Sequence, residues 1–135
     1  MQKITAIIER GNNGTYDIHL GENNPLSFGL LGQGQTVVEA KEDFLFNIEE
    51  MKVVFEDQGR VFPLFEILYQ YDIASFLQTI NSKISLAGLE NITGVHQKQL
   101  GHYLSGHRKP SPKTVLKIET GIRNFQEELS SIRFL

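Results

Sequence analysis

No cysteine occurs among the 135 residues of this chain. That excludes a disulfide framework and any thiolate metal site, and fits a reducing, intracellular setting. No apolar run approaches the ~18 residues of a membrane span. The opening MQKITAIIERG lacks the basic-then-apolar order of a signal peptide. The expectation is a soluble, cytoplasmic protein with no membrane partner. Positive charge is scarce too: thirteen Lys and Arg stand against sixteen Asp and Glu, a net −3 that taken alone argues against nucleic acid. The distribution argues the other way. Residues 1–72 hold five cations (Lys3, Arg10, Lys41, Lys52, Arg60) and twelve acids, a balance of −7, whereas 73–135 hold eight cations and four acids, a balance of +4. An acidic front joined to a basic back points to two modules with different partners, with chance clustering of surface charge as the alternative.

Catalytic constellations are missing as well. Glu9, Asp17, Asp43 and Glu49 offer carboxylates, but two-metal hydrolysis needs several converging on one pocket, and most acids fall along the exposed side of a helix over 37–57. No hydrolase elbow occurs, and Gly32-Gln33-Gly34-Gln35 lacks the lysine of a phosphate-binding loop. His96, His102 and His107 do not share one helical face and have no carboxylate or cysteine cluster beside them, so no metal site is expected. His19 alternates with Asp17 and is expected on the outer face of its strand. The expectation is a non-enzyme with no cofactor.

What is present is a pattern that changes period midway. KITAIIERG is β-branched and apolar, Gly11-Asn12-Asn13-Gly14 is a strong turn signal, and TYDIHL alternates with period two, which predicts a hairpin over 2–10 and 15–20. After a loop with Pro25, a third, glycine-rich strand is predicted near 28–34. Its glycines imply twist, bulging or close backbone approach. Thr36 with Glu39 forms a capping box for a helix whose core stripe is Val37, Ala40, Phe44, Leu45, Ile48, Met51 and Phe55, closed by Gly59. Residues 65–71 alternate and predict a fourth strand. Phe28, Phe62, Phe65, Tyr69 and Tyr71 are candidates for an uncovered aromatic edge, and Gln58–Leu64 is either an interface or simply the crossing from helix to strand. The front half, 1–71, is thus β-β-β-α-β, an α+β layer with one helix on one sheet face.

From Asp72 the period is helical. Asp72 caps a helix through Ile80, a second runs over 86–93, Gly94 breaks it, and a third follows over 97–104. Ser111-Pro112 starts the last helix, with Val115, Ile118, Ile122, Phe125 and Leu129 on its buried face. Two short helices joined by a three-residue glycine turn are a helix-turn-helix signature. On the exposed face of the 97–104 helix stand Gln97, Lys98, Gln99 and His102, base-facing candidates because a glutamine can grip adenine N6 and N7 with two hydrogen bonds; a solvated helix face is the alternative. Ser105, Arg108 and Lys109 form a loop suited to clamping phosphate, with solvated loop charge as the alternative, and Lys113 offers a weaker contact of the same kind. Tyr103 reads as core. Gly101 either permits close approach to DNA or is merely tolerated.

Residues 85–118 resemble the DNA-binding unit of the Cro and lambda-repressor class, with Gly94 at the turn, Val95 after it, Leu100 and Tyr103 inward, and G-x-R-K-P-S following. The front half is similar to the HicB antitoxin domain in its I-x-E strand, G-x-Y-x-I second strand, G-x-G-x-T turn at 32–36 and V-x-E-A helix start. The order resembles HicB-family antitoxins with a C-terminal helix-turn-helix. The resemblance implies a truncated, inactive RNase H-like front domain over 1–71 that blocks a small basic RNase toxin (HicA-like). It also implies an all-α domain over 72–135 that binds operator double-stranded DNA and represses its own operon. Glu9, Tyr16, Asp17 and Glu22 are the partner-binding candidates. A dimer or higher assembly is expected because such units read two half-sites, with the apolar end of the last helix as a candidate seam. The alternative is a transcription regulator whose front domain senses a small ligand.

Overall fold

The computed structural model describes residues 1–135, an α+β chain with one four-stranded mixed sheet and five helices. Strands β1 (Gln2–Arg10), β2 (Tyr16–Leu20) and β3 (Leu31–Gly34) precede helix α1 (Val37–Asp57) and strand β4 (Phe65–Tyr71). Helices α2 (Ile73–Ile80), α3 (Leu86–Thr93), α4 (Gln97–Leu104) and α5 (Pro112–Ser131) follow. The chain forms two compact units, Met1–Thr79 and Ile80–Leu135, so nearly all of α2 belongs with the sheet rather than with a module starting at 72. Because 73–79 carries no charged residue, the charge balances of −7 and +4 are also those of the two units.

In the first unit the strand order is β3-β2-β1-β4. The β1–β2 hairpin turns at Gly11–Gly14, where Gly14 takes φ +81° and Asn13 Oδ1 accepts from the Thr15 amide at 3.1 Å. Ile8 faces Ile18 across the antiparallel pair, and β4 runs parallel to β1 from Gln2–Phe65 to Ile8–Tyr71. Period-two alternation puts Ile4, Ala6, Ile8, Tyr16 and Ile18 on one face, where α1 covers Ala6, Ile8, Tyr16 and Ile18 with Val37, Ala40, Phe44 and Ile48.

The third strand is shorter than its glycine-rich sequence predicts. Residues 28–30 make no ladder, because Phe28 turns inward onto Phe55 and Phe62, with ring centroids 5.2 and 5.6 Å away. Phe62 continues that cluster to Phe65 at 5.8 Å, so the expected aromatic edge is packed, and Val61 and Leu64 are the exposed apolar residues of the crossing. The glycines of β3 serve close approach: a Cβ on Gly32 would lie 2.6 Å from the Ala40 carbonyl oxygen, and one on Gly34 2.5 Å from Glu39 Cβ.

Thr36 caps α1 by accepting from the Glu39 amide at 3.1 Å. The reciprocal arm of the box lands one residue early, Glu39 Oε2 accepting from the Gln35 amide at 2.8 Å. Leu45 falls off the core stripe; it lies on the outer side of α1. Lys41 donates to the Tyr71 hydroxyl and lies 4.4 Å from the centre of the Tyr69 ring. Burial, and secondarily Tyr71, raises the Tyr69 hydroxyl pKa above its ordinary value. Asp72 ties β1 to α2, its Oδ2 accepting from the Arg10 amide at 3.0 Å and its Oδ1 from the Ser75 amide at 2.8 Å.

In the second unit α3 packs against both α4 and α5. Leu89, Thr93, Val95, Leu100, Tyr103 and Ile118 are its buried residues. The α5 stripe does not stay buried along its length. Ile118 is enclosed, Val115, Ile122 and Phe125 are half-buried, and Leu129 is exposed, because α5 outlasts the short helix it packs on.

Candidate nucleic-acid interface

The α3–α4 pair owes its geometry to three residues. Gly94 adopts φ 73°, the left-handed region that favours glycine, and ends α3 with its amide donating to the Glu90 carbonyl at 2.8 Å. Val95 buries its side chain between the helices. Thr93 Oγ1 donates to the Leu89 carbonyl at 2.7 Å and accepts from the Val95 amide at 3.1 Å, which satisfies buried polar groups in the turn.

The N-terminus of α4 is capped twice. His96 Nδ1 accepts from the Lys98 amide at 3.1 Å, and the Glu90 carboxylate accepts from the Gln97 amide at 2.7 Å. Nothing in the linear sequence marks Glu90 for this role. Its only signal is an acid seven residues before a helix start, a spacing with no local meaning until the turn folds it back. The carboxylate also lies 3.7 Å from His96 Nε2, and it suits the positive end of the helix dipole.

Gln97 and Lys98 stand exposed in the first turn of α4. Gln99 is positioned differently from expectation: it is half-buried, and its Nε2 donates to the Tyr103 hydroxyl at 3.0 Å, so its amide already serves the helix. Tyr103 itself is buried. His102 is half-buried, packs against His107 with centroids 5.0 Å apart and the rings tilted by 55°, and leaves Nδ1 enclosed without a hydrogen-bond partner. Burial first, then His107, Arg108 and Lys98, lowers its pKa below the ordinary histidine value.

Beyond α4 the chain folds tightly back. Ser105 Oγ donates to the His102 carbonyl at 3.2 Å, Gly106 takes φ 76°, and the Arg108 amide donates to the His102 carbonyl at 3.2 Å. Arg108 and Lys109 are exposed, and neither takes part in the three ion pairs of the chain. Lys98, Gly101, His102, Ser105 and His107 line one shallow depression. Lys113 lines a different one, with Ile92, Gly94, Lys117 and Gly121, where α5 meets the end of α3. The fold therefore gathers Lys98, His102 and Ser105 and sets Lys113 apart from them. Gly121 is a further residue that the sequence alone does not single out: a Cβ there would lie 2.4 Å from the Ile92 carbonyl oxygen, so α5 crosses α3 at backbone contact.

In the first unit, Tyr16 is only 5% exposed and belongs to the core, which removes it as a surface for a partner. Glu9 is exposed and its Oε1 is 3.6 Å from His19 Nε2, Glu22 is exposed on the loop after β2, and Asp17 is half-buried. No three His, Asp or Glu side chains gather as a metal-binding group, and no helix is long and apolar enough to cross a membrane. Comparison with protein-family models, curated proteins and solved structures returned no match to this chain.

Proposed function

We propose that the chain is an antitoxin-type autorepressor, with a HicB-like front unit that binds a small basic RNase toxin and a helix-turn-helix back unit of the Cro and lambda-repressor class that binds operator DNA. The observation that carries this reading is α4. It is a short helix set off by a left-handed glycine turn, with Gln97 and Lys98 free at its N-terminal end and Arg108 and Lys109 free in the loop that closes it. A helix entered in the major groove by its first turn puts Gln97 at base edges, and the loop cations meet phosphate. The +4 balance of the second unit supports this despite the net −3 of the whole. A parallel β4 closing a β-β-β-α-β layer, together with a −7 balance, supports a front unit that receives a cationic protein.

The test has two arms. Fluorescence anisotropy with the DNA upstream of the chain's own gene, against a scrambled duplex, is expected to give specific binding at least ~10³-fold tighter at physiological salt. A reading frame for a small basic protein is expected beside the chain's own gene; its expression is expected to arrest growth, and co-expression of this chain to restore it. Equal affinity for both duplexes would remove the operator-binding half. A harmless neighbour would remove the antitoxin half.

A further inference from the structure

One face of α1 packs on the sheet, and the opposite face mixes large apolar side chains with carboxylates. Val38, Leu45, Phe46, Val53 and Val54 are 63, 47, 60, 52 and 44% exposed. Val38 and Leu45 are seven residues apart, as are Phe46 and Val53, so two turns of helix bring each pair back to one side. The four form a strip on the outer side of the helix. At 1.5 Å per residue, Val38 to Val53 spans about 22 Å. Five large apolar side chains exposed on one helix exceed what a solvated face needs.

The charges between them are almost all of one sign. Glu39, Glu42, Glu49, Glu50, Glu56 and Asp57 are exposed along the same helix. On this side the cation is Lys52, held by Glu49 at 2.9 Å and 5.9 Å from the Phe62 ring; Lys41 is turned inward onto Tyr69 and Tyr71. This pattern selects the occupant. A second copy pairing through the same face would bring carboxylates against carboxylates, which opposes association. Nucleic acid and anionic membrane are excluded on the same ground. Burying the strip also desolvates Glu42 and Glu49, which lie within it, and that is tolerated only where the partner supplies cations.

We infer that the outer face of α1 is the docking surface for the cationic partner. Phe46 and Val53 enter an apolar patch on it, and Glu42, Glu49 and Glu50 meet Arg or Lys around that patch. This rests on the antitoxin reading of the front unit and moves the contact from the β2 side, where Glu9, Asp17 and Glu22 lie, to the helix. Phe46 is the anchor, because buried aromatic residues at the centre of an interface carry most of the binding energy.

The test uses the full chain and, as probe, the purified small basic protein of the neighbouring reading frame, followed by calorimetry. The expected result is a loss of at least ~10-fold in affinity for Phe46→Ser with Val53→Ser. Glu42→Lys with Glu49→Lys should both weaken binding and flatten its salt dependence. Leu68→Ser on the open face of the sheet should bind as wild type. All three alter exposed side chains, and unchanged thermal midpoints and DNA affinity verify that each folds. Wild-type affinity in both α1 variants, or a loss confined to Leu68→Ser, overturns the α1 assignment and leaves the antitoxin reading intact. A wild-type chain that does not bind the basic protein overturns both. A dimer in sedimentation that Phe46→Ser with Val53→Ser turns into monomer makes the occupant a second copy and also overturns it.

Discussion

Gly101 and Gly121 both sit inside helices of the second unit, and alanine should affect them in opposite directions. A Cβ at Gly101 would meet Leu86 Cδ1 at 3.7 Å, an ordinary contact. Gly101→Ala is therefore expected to stabilise the unit by ~0.5–1 kcal/mol through helix propensity. If the glycine is there to let DNA approach, the same variant loses operator affinity while its thermal midpoint rises. At Gly121 the added carbon would lie 2.4 Å from the Ile92 carbonyl oxygen, backbone that cannot step aside. Gly121→Ala should destabilise by ~1–3 kcal/mol in urea titration. Gln97→Ala should relax base preference at one position of the operator by ~1–3 kcal/mol and leave scrambled DNA bound as before. Uniform loss on every sequence would show that Gln97 does not read bases. For His102 the sign is set by its surroundings: its pKa is lowered in the fold. The folded chain thus resists a proton that the unfolded chain takes up, and the stability present above the unfolded value is lost as pH falls through the folded one. Phosphate beside it would act the other way, so operator binding should strengthen as pH falls, and His102→Gln should flatten that dependence.

At the scale of the elements, the order of helices and strands was legible because each signal was local. Asn-Gly at the hairpin, Thr36 and Ser111 as caps, Gly94 as a break and Pro112 in a first turn act within four residues of where they stand. The misreadings came from contacts made far along the chain. Leu45 fits the helical period of α1 as well as Phe44 does, and only the position of the sheet decides which of the two is covered. Phe28 has the composition of a strand residue, yet it is drawn to Phe55 and Phe62. In the candidate interface, Gln97 and Lys98 were legible from helical spacing. Gln99 differed because Tyr103, one turn on, offers its hydroxyl, and Glu90 was invisible until the turn was formed. Gly34, like Gly32, lies at backbone contact with α1. Gly34→Ala would set a Cβ 2.6 Å from the Ala40 amide nitrogen and should lift α1 from β3, with a destabilisation of ~1–3 kcal/mol.

For the molecule as a whole, the opposed balances of its two units predict that the two proposed binding activities respond separately to salt and to mutation. Arg108→Ala with Lys109→Ala should lower affinity on every DNA sequence and reduce the slope of log K against log salt by about 0.9 for each phosphate no longer neutralised. Binding of a basic protein should be unchanged. The topology of the first unit also sets an order in time. β1 leaves the ribosome before the other three strands of its sheet, yet it lies inside that sheet between β2 and β4. Its hairpin partner follows at once, whereas β4 arrives only after the whole of α1. Until Tyr71 has emerged, one edge of β1 is bare, and the chain must hold a half-built sheet through the synthesis of more than fifty further residues. Pairing β1 with β4 across so long a loop is intrinsically slower than closing the β1–β2 hairpin. A newly made chain is therefore most exposed to wrong pairing before β4 has emerged.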